Sequence, residues 1–184
     1  MRSQIALAVA CLLSVVLAHP TKYLGVTRNE TCYNPDPAPI WSYHIHLIFW
    51  SSNKESTSGA MKIQQDFKAH FADKIGADCL DMFDSTHTCF IATDLDPYGP
   101  FLTANWSFFV MPADMQEMTM WMMQHRQEYS VLVHPNTGCE LEDHTWWTMW
   151  GGEPYALDNS IFSFDQPFPW PEWNTTAKLQ SIAQ

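Results

Sequence analysis

Alternation between polar and apolar side chains marks a strand near position 45. Over 41–50 the chain is WSYHIHLIFW, which has the aromatic and β-branched content that is typical of strands. Because successive side chains of a strand point to opposite faces, His44 and His46 share one face, and Ile45 and Leu47 share the other. The pattern therefore predicts a strand whose apolar face helices can cover and whose second face carries two imidazoles.

The next segment has a helical period. Apolar residues recur there at steps of three and four, which predicts one amphipathic helix of about five turns. Ser and Thr at 56–58 are predicted to cap its start, and Gly76 is predicted to end it. The residues that define this stripe are Ala60, Ile63, Phe67, Phe71 and Ile75.

Two strands and a second helix follow. Strands are predicted at 89–93 and 104–110, with a turn-rich loop at 94–100 between them. After Pro112, a helix is predicted from residues at helical spacing. Methionines in such a stripe are ordinary core filler, so we expect them to pack against the sheet. The spaced residues are Met115, Met118, Met122 and His125.

The order of the elements predicts the fold. A strand at 129–134 ends the series, and 145–150 is a candidate for one more. Strand, helix, two strands, helix, strand is the order of the split βαβ unit. We therefore expect an α+β, ferredoxin-like fold, in which an antiparallel sheet carries two helices on one face. The predicted domain spans 41–152 and is preceded by a proline-containing N-terminal arm at 19–40. A Pro- and aromatic-rich C-terminal arm at 153–184 is expected to wrap over the domain.

Composition narrows the function classes. The chain has 184 residues, 46% of them hydrophobic, and a formal net charge of −11. This size suits one domain with a buried core. A surface of that sign repels phosphate backbones and anionic lipids, so binding to nucleic acid is not expected.

The first eighteen residues have the pattern of a secretory signal peptide. Arg2 precedes an apolar run at 5–17, and 16–18 resembles a cleavage site. The run is shorter than the roughly 20 residues that span a bilayer, so no membrane span is expected. We predict a secreted, extracellular glycoprotein. Its candidate glycosylation sites are Asn29, Asn105 and Asn174.

Four cysteines remain after the predicted cleavage, an even number that favours two disulfides outside the cell. Three pairings are open. Cys79 and Cys89 are close enough in sequence to join one loop, which would leave Cys32 to pair with Cys139. A zinc site is the alternative, but the usual CxxC spacing is absent.

The histidines carry the candidate chemistry. His134 ends a predicted strand and His144 follows ten residues later. Two imidazoles on one strand face commonly serve as metal ligands, and His134 can join them if its strand presents it to the same face. The alternative is a set of hydrogen-bonded histidines in a polar groove.

The motifs around these histidines resemble one known family. YHIHLIF at 43–49 is similar to the opening strand of the DOPA 4,5-dioxygenase family, and SVLVHPNTG at 130–138 resembles its closing signature. DHT at 143–145 and the segment 149–152 extend that likeness. The resemblance covers about 41–152, and it implies a ferredoxin-like protein, often a dimer. It also implies iron-dependent extradiol cleavage of a catechol such as DOPA.

The resemblance implies roles for individual residues. The family's histidine motifs correspond here to His44, His46, His134 and His144, the first three as ligands of Fe(II) or another divalent metal. His144 is the candidate base for the catechol hydroxyl, or else a partner that orients one of the ligands. Extradiol iron commonly takes one carboxylate as well, for which the candidates are Glu140, Glu142 and Asp143. The alternative for this acidic cluster is a solvated turn. Tryptophans that could line a site for a flat ring, or pack as ordinary core, are Trp146, Trp147 and Trp150.

One position departs from the family. Gly99-Pro100-Phe101 has phenylalanine where the family usually has histidine. Phenylalanine neither binds a metal nor transfers a proton. Another histidine, such as His87 or His125, would have to replace the missing one. The alternative is a non-catalytic secreted protein, for example of an extracellular matrix or a mineralised layer, that keeps the fold.

Overall fold

The structure is a computed structural model that describes residues 40–79 and 86–162. Within these ranges lie five strands, three α-helices and a short 3-10 turn at Asn159–Ile161. The strands are β1 (Ser42–Phe49), β2 (Cys89–Asp94), β3 (Ala104–Val110), β4 (Ser130–Asn136) and β5 (Met149–Gly151). The helices are α1 (Lys54–His70), α2 (Pro112–His125) and α3 (Glu140–His144).

The strands form one antiparallel sheet in the order β2-β3-β1-β4-β5. The first four strands have the order of the ferredoxin-like fold, and β5 extends the sheet beyond β4. The predicted α+β, ferredoxin-like class is confirmed. The first strand, β1, lies at the centre between β3 and β4, an adjacency that the sequence left open.

The main core lies between the sheet and helices α1 and α2. Ile45 and Leu47 of β1 are fully buried there, as the alternation predicted. Phe67 of α1 and Met118 of α2 pack in the same cluster, so the methionine stripe is core. The indole of Trp106 also donates a hydrogen bond to the Ala60 carbonyl at 2.9 Å, which ties β3 to α1.

Helix α1 starts and ends earlier than its apolar stripe predicted. Its N-cap is Asn53, whose Oδ1 accepts from the backbone N–H groups of Glu55 and Ser56. Asparagine is a favoured N-cap, and here it takes the role that we expected of residues 56–58. The helix ends at His70, and Ile75 instead forms an isolated bridge with Thr88.

Strand β4 runs through a proline. We expected it to end at His134, but Pro135 pairs with Tyr43 of β1. Strand β5 pairs with only Val131–Val133, so Pro135 lies beyond the part of β4 that is paired on both sides. Proline is tolerated at such positions because no ladder hydrogen bond is lost.

The acidic segment 140–143 is not a solvated turn, which corrects one of the two interpretations of the sequence. It forms the short helix α3, in which Glu142, Asp143 and His144 are buried. The final strand, β5, is correspondingly shorter than the candidate at 145–150.

The second face of the sheet is also covered. Ile48, Phe101 and Leu132 form a small apolar cluster there, against which Tyr155 and Leu157 pack. The Asp158 N–H donates to the Pro100 carbonyl at 2.8 Å, which joins the C-terminal segment 153–162 to the loop before β3. The remainder of the predicted C-terminal arm lies outside the described residues, as do the predicted signal peptide and 19–39 of the N-terminal arm.

A disulfide joins Cys79 to Cys89, as the spacing predicted, with Cα atoms 5.3 Å apart. Cys139 is buried at the start of α3. Its predicted partner, Cys32, lies outside the described residues, so that pairing stays a prediction. None of the helices in the described ranges is long and apolar enough to cross a membrane.

Candidate metal centre

Three histidines come together on the second face of the sheet. His44 and His46 project from β1, two residues apart, and His134 projects from β4. In the antiparallel register His44 lies directly opposite His134, and His46 lies opposite Leu132. Directly opposite residues share a face, so the register of β1 and β4 assembles the three imidazoles.

The three histidines of this triad are close enough together to be candidate ligands of one metal ion. One ligand nitrogen can be taken from each of His44, His46 and His134 so that all lie within 4.8 Å of one another. Nitrogens that bind one ion tetrahedrally at about 2.1 Å lie about 3.4 Å apart, so the imidazoles would move together by up to about 1.4 Å when they bind it. The His46 and His134 rings are nearly parallel, with centroids 5.4 Å apart, and His44 stands edge-on to both.

The imidazoles are buried in a polar layer. Each of the three is 1% exposed. Burial of several polar side chains against one sheet face is costly unless they bond one another or a ligand. The other buried polar residues of the strands that surround the triad are Ser42, Asn105, Ser107, Ser130 and Asn136.

Two of the triad's rings are oriented by hydrogen bonds at Nδ1. His46 Nδ1 lies 3.1 Å from Asn105 Oδ1, and His134 Nδ1 lies 2.9 Å from the Pro135 carbonyl oxygen. Both oxygens are acceptors, so each Nδ1 carries the proton and each Nε2 carries the lone pair. Metal-ligating histidines commonly have such partners, which fix the tautomer and the ring plane.

His144 lies beside the triad, at the end of α3. Its ring centroid is 4.0 Å from that of His134, and its Nδ1 donates to the Glu140 carbonyl at 2.8 Å. The ring is 2% exposed and stacks on Phe162, with centroids 4.6 Å apart. The candidate base is therefore held next to the triad, with Nε2 as its basic nitrogen.

The expected carboxylate does not join this cluster. Among residues 40–79 and 86–162, the cluster contains three histidines and no Asp or Glu. Asp143 instead accepts hydrogen bonds from the Thr137 backbone N–H at 2.9 Å and from the Thr137 hydroxyl at 2.7 Å. Burial raises the pKa of Asp143 to about 7, against the opposing effect of these two bonds. The Glu140 carboxylate lies 3.6 Å from His144 Nδ1.

Of the three tryptophans that could line the site, two lie away from the triad. Trp146 is exposed, and Trp147 packs against Cys139. Only Trp150 packs in the apolar cluster beside the histidines. The rings in direct contact are Phe101, 4.5 Å from His46, and Phe109, 5.9 Å from His44.

Neither of the candidate replacement histidines reaches the triad. His87 Nε2 bonds the Ala77 carbonyl oxygen at 3.1 Å, and His125 is an exposed residue of α2 that stacks on Trp121. Phe101, the residue at the family's histidine position, does lie in the site, against His46.

The predicted glycosylation site at Asn105 does not fit the folded structure. Its side chain is 1% exposed and bonds His46, which leaves no path for a glycan. Asn29 and Asn174 lie outside the described residues. The sequence did contain a signal for the actual place of Asn105, because polar Asn105 and Ser107 alternate with apolar Trp106 and Phe108 along β3. This alternation places the asparagine on the face of the histidines.

Comparisons with known proteins point to one family. Residues 43–161 match the Dopa 4,5-dioxygenase family. Among solved structures, that of a candidate dioxygenase from Nostoc punctiforme is similar, with a TM-score of 0.54 and 21% identity. The match covers 67% of this chain and 91% of that chain, and at this identity it shows a shared fold. No match to a curated protein was found.

Proposed function

Because this chain belongs to the Dopa 4,5-dioxygenase family, we propose that it binds a divalent metal through His44, His46 and His134 and cleaves the ring of a catechol. The observation that supports this most directly is the triad itself, three buried imidazoles on two neighbouring strands whose ligand nitrogens lie within 4.8 Å of one another. Fe(II) is the proposed metal, and imidazole nitrogen suits iron as well as zinc and copper.

The metal ion and the side chains would have different roles in the reaction. A bound Fe(II) would supply Lewis acidity and open positions at which the catechol and O2 can meet. His144 would accept the proton of a catechol hydroxyl at Nε2, which its Nδ1–H bond to the Glu140 carbonyl supports. Phe101 and Phe109 would exclude water from the ring of the substrate.

A metal titration coupled to oxygen uptake tests this proposal. The purified protein is titrated anaerobically with Fe(II) and then mixed with catechol or DOPA in air. We expect about one ion per chain and oxygen consumption with a ring-opened product. His134→Ala should lose both, whereas His125→Ala, which removes an exposed histidine of α2, should lose neither. Full turnover by the His134→Ala variant would contradict the proposal.

We also propose that the protein is secreted. Arg2 and the apolar run that follows it support this, as does the Cys79–Cys89 disulfide, since disulfides persist mainly in oxidising compartments. Expression in a secretory host, followed by N-terminal sequencing of the protein in the medium, should give an N-terminus at His19. Retention of the full chain inside the cell would contradict secretion.

One observation favours a second candidate, a non-catalytic secreted protein that keeps the fold. Phe101 packs on the ring of His46 at the position where the family usually has histidine. If the missing histidine is essential for ring opening, the centre would bind a metal or an aromatic ligand without turnover. Saturable catechol binding to the metal-loaded protein without oxygen uptake would favour this candidate.

A further inference from the structure

We propose that Asn105 has two roles at the metal centre. Its Oδ1 positions His46 as a ligand, and its Nδ2–H donates a hydrogen bond to an anionic oxygen of the molecule bound there. The inference deepens the proposed function and rests on it, because both roles assume that the histidines hold an ion.

The register of the sheet places Asn105 beside the triad. His46 of β1 lies opposite Ser107 of β3, so Asn105, two residues from Ser107, projects from the same face. Its side chain is 1% exposed and reaches the ring of His46. Asn105 therefore belongs to the polar layer of the site and not to the apolar core on the other face.

The first role follows from the bond to His46. Asn105 Oδ1 lies 3.1 Å from His46 Nδ1, and an amide oxygen only accepts. This contact favours the tautomer with the proton on Nδ1 and the lone pair on Nε2. Neutral ligand histidines are commonly held in this way, and loss of the partner typically lowers metal affinity 10- to 100-fold.

The second role follows from the amide nitrogen. Asn105 Nδ2 is buried, yet it has no hydrogen-bond partner among the described residues. Asn136, a buried asparagine of the neighbouring strand β4, instead donates Nδ2 to Ser42 Oγ at 2.8 Å. Buried amide donors are nearly always paired, so a donor left over beside a ligand histidine indicates an acceptor that arrives with the substrate. The oxygen of a catecholate has this chemistry.

The test uses two substitutions at 105 and a matched control. Asn105→Leu keeps the size of the side chain and removes both polar atoms. Asn105→Asp keeps an oxygen that can accept from His46 Nδ1–H. Asn136→Leu is the control, because it removes a buried asparagine that bonds Ser42 and not a histidine. Circular dichroism establishes that each variant is folded.

Zn(II) affinity and the His46 tautomer report on the first role. We expect Asn105→Leu to bind Zn(II) 10- to 100-fold more weakly than the wild type, and Asn105→Asp and Asn136→Leu to stay within about threefold of it or to bind more tightly. In ¹⁵N NMR spectra of the apo protein, His46 should carry its proton on Nδ1 in the wild type and lose that preference in Asn105→Leu. Equal Zn(II) affinity in Asn105→Leu and Asn136→Leu, or an Nε2–H tautomer in the wild type, would overturn this role.

Two probe ligands report on the second role. Catechol and imidazole are titrated calorimetrically into protein saturated with Zn(II), so that any displacement of His46 affects both. Only catechol brings an anionic oxygen, so Asn105→Leu should lower the ratio of catechol to imidazole affinity about tenfold. An unchanged ratio would overturn the donor role. Failure of the wild type to bind Zn(II) or Fe(II) would instead overturn the proposed function, and the tautomer of His46 would still decide whether Asn105 positions that ring.

Discussion

His44 of β1 and His134 of β4 lie directly opposite each other in the sheet, with ring centroids 4.9 Å apart. The two residues are 90 positions apart in sequence, so their contact depends on the central placement of β1 next to β4. The candidate metal centre is thus a consequence of strand order. Disruption of either strand would also disrupt the centre.

A metal ion that binds to His44 and His134 should raise the thermal stability of the protein. An ion at one hundred times its dissociation constant stabilises the folded state by about 2.7 kcal/mol, which corresponds to roughly 10 °C in Tm for a domain of this size. We expect Zn(II) to produce such a shift in the wild type and none in His44→Ala, as measured by scanning calorimetry. His125→Ala serves as the control and should respond like the wild type. A full shift in His44→Ala would show that the ion binds elsewhere.

The buried carboxyl of Asp143 should make stability depend on pH. Burial raises the pKa of this carboxyl in the folded state to about 7, above the unfolded value near 3.8. The Thr137 bonds oppose this rise, and the charge of Glu142 adds to it. A raised folded pKa means that the carboxyl contributes its full stability below about pH 4. That contribution falls as pH rises towards 7.

Asp143→Asn should remove this pH dependence. The amide can still accept from the Thr137 N–H, and it cannot ionise. We expect the variant and the wild type to have similar unfolding free energies at pH 4. At pH 8 the variant should be the more stable, by up to about 4 kcal/mol. Urea denaturation at the two pH values measures the difference, and a constant difference across this range would contradict the assignment.

Phe101→His tests whether the absence of a histidine at position 101 limits the proposed reaction. The substitution places an imidazole against His46, where the phenyl ring now lies. If the absent histidine limits catalysis, oxygen uptake with catechol should rise at least tenfold. Stability should fall by about 1–3 kcal/mol because a polar ring replaces a buried apolar one. Phe109→His is the matched control, since Phe109 also contacts the triad but does not occupy the family's histidine position. A similar rise in both variants, or in neither, would argue against a special role of position 101.

The Cys79–Cys89 disulfide should stabilise the fold. It closes a loop with a sequence separation of 10 residues, for which the chain-entropy estimate is about 2–3 kcal/mol. The double variant Cys79→Ala, Cys89→Ala should lose at least this amount, because Cys89 is also buried. Chemical denaturation of the oxidised proteins measures the loss. A reductant would be a poorer test, since it acts on every disulfide of the chain.

Sequence periodicity predicted most of the fold, because alternation and helical spacing report directly on burial. His44 and His46 on one face of a strand followed from the period of two, and the buried stripe of Phe67 and Met118 followed from helical spacing. Helix α3 was missed because its five residues are too few to show a period, and because acidic residues suggested exposure.

The residues that surround the histidines were harder to predict from the sequence than the histidine cluster itself. The contact between His46 and Asn105 joins two strands whose register is set by the whole sheet, and no local pattern reports it. The carboxylate was expected within 140–143, but Asp143 bonds the Thr137 backbone N–H and hydroxyl and does not join the histidine cluster. Both outcomes depend on side-chain hydrogen bonds that join different structural elements, and local sequence patterns do not report such bonds.

The central position of β1 has a consequence for hydrogen exchange. Amides in strands that are paired on both sides and buried on both faces usually exchange only when the whole domain opens. His44 and His46 lie on such a strand, between β3 and β4. Local fluctuations of the loops should therefore leave the histidines in place, and the imidazoles should separate only in the same cooperative event that unfolds the sheet.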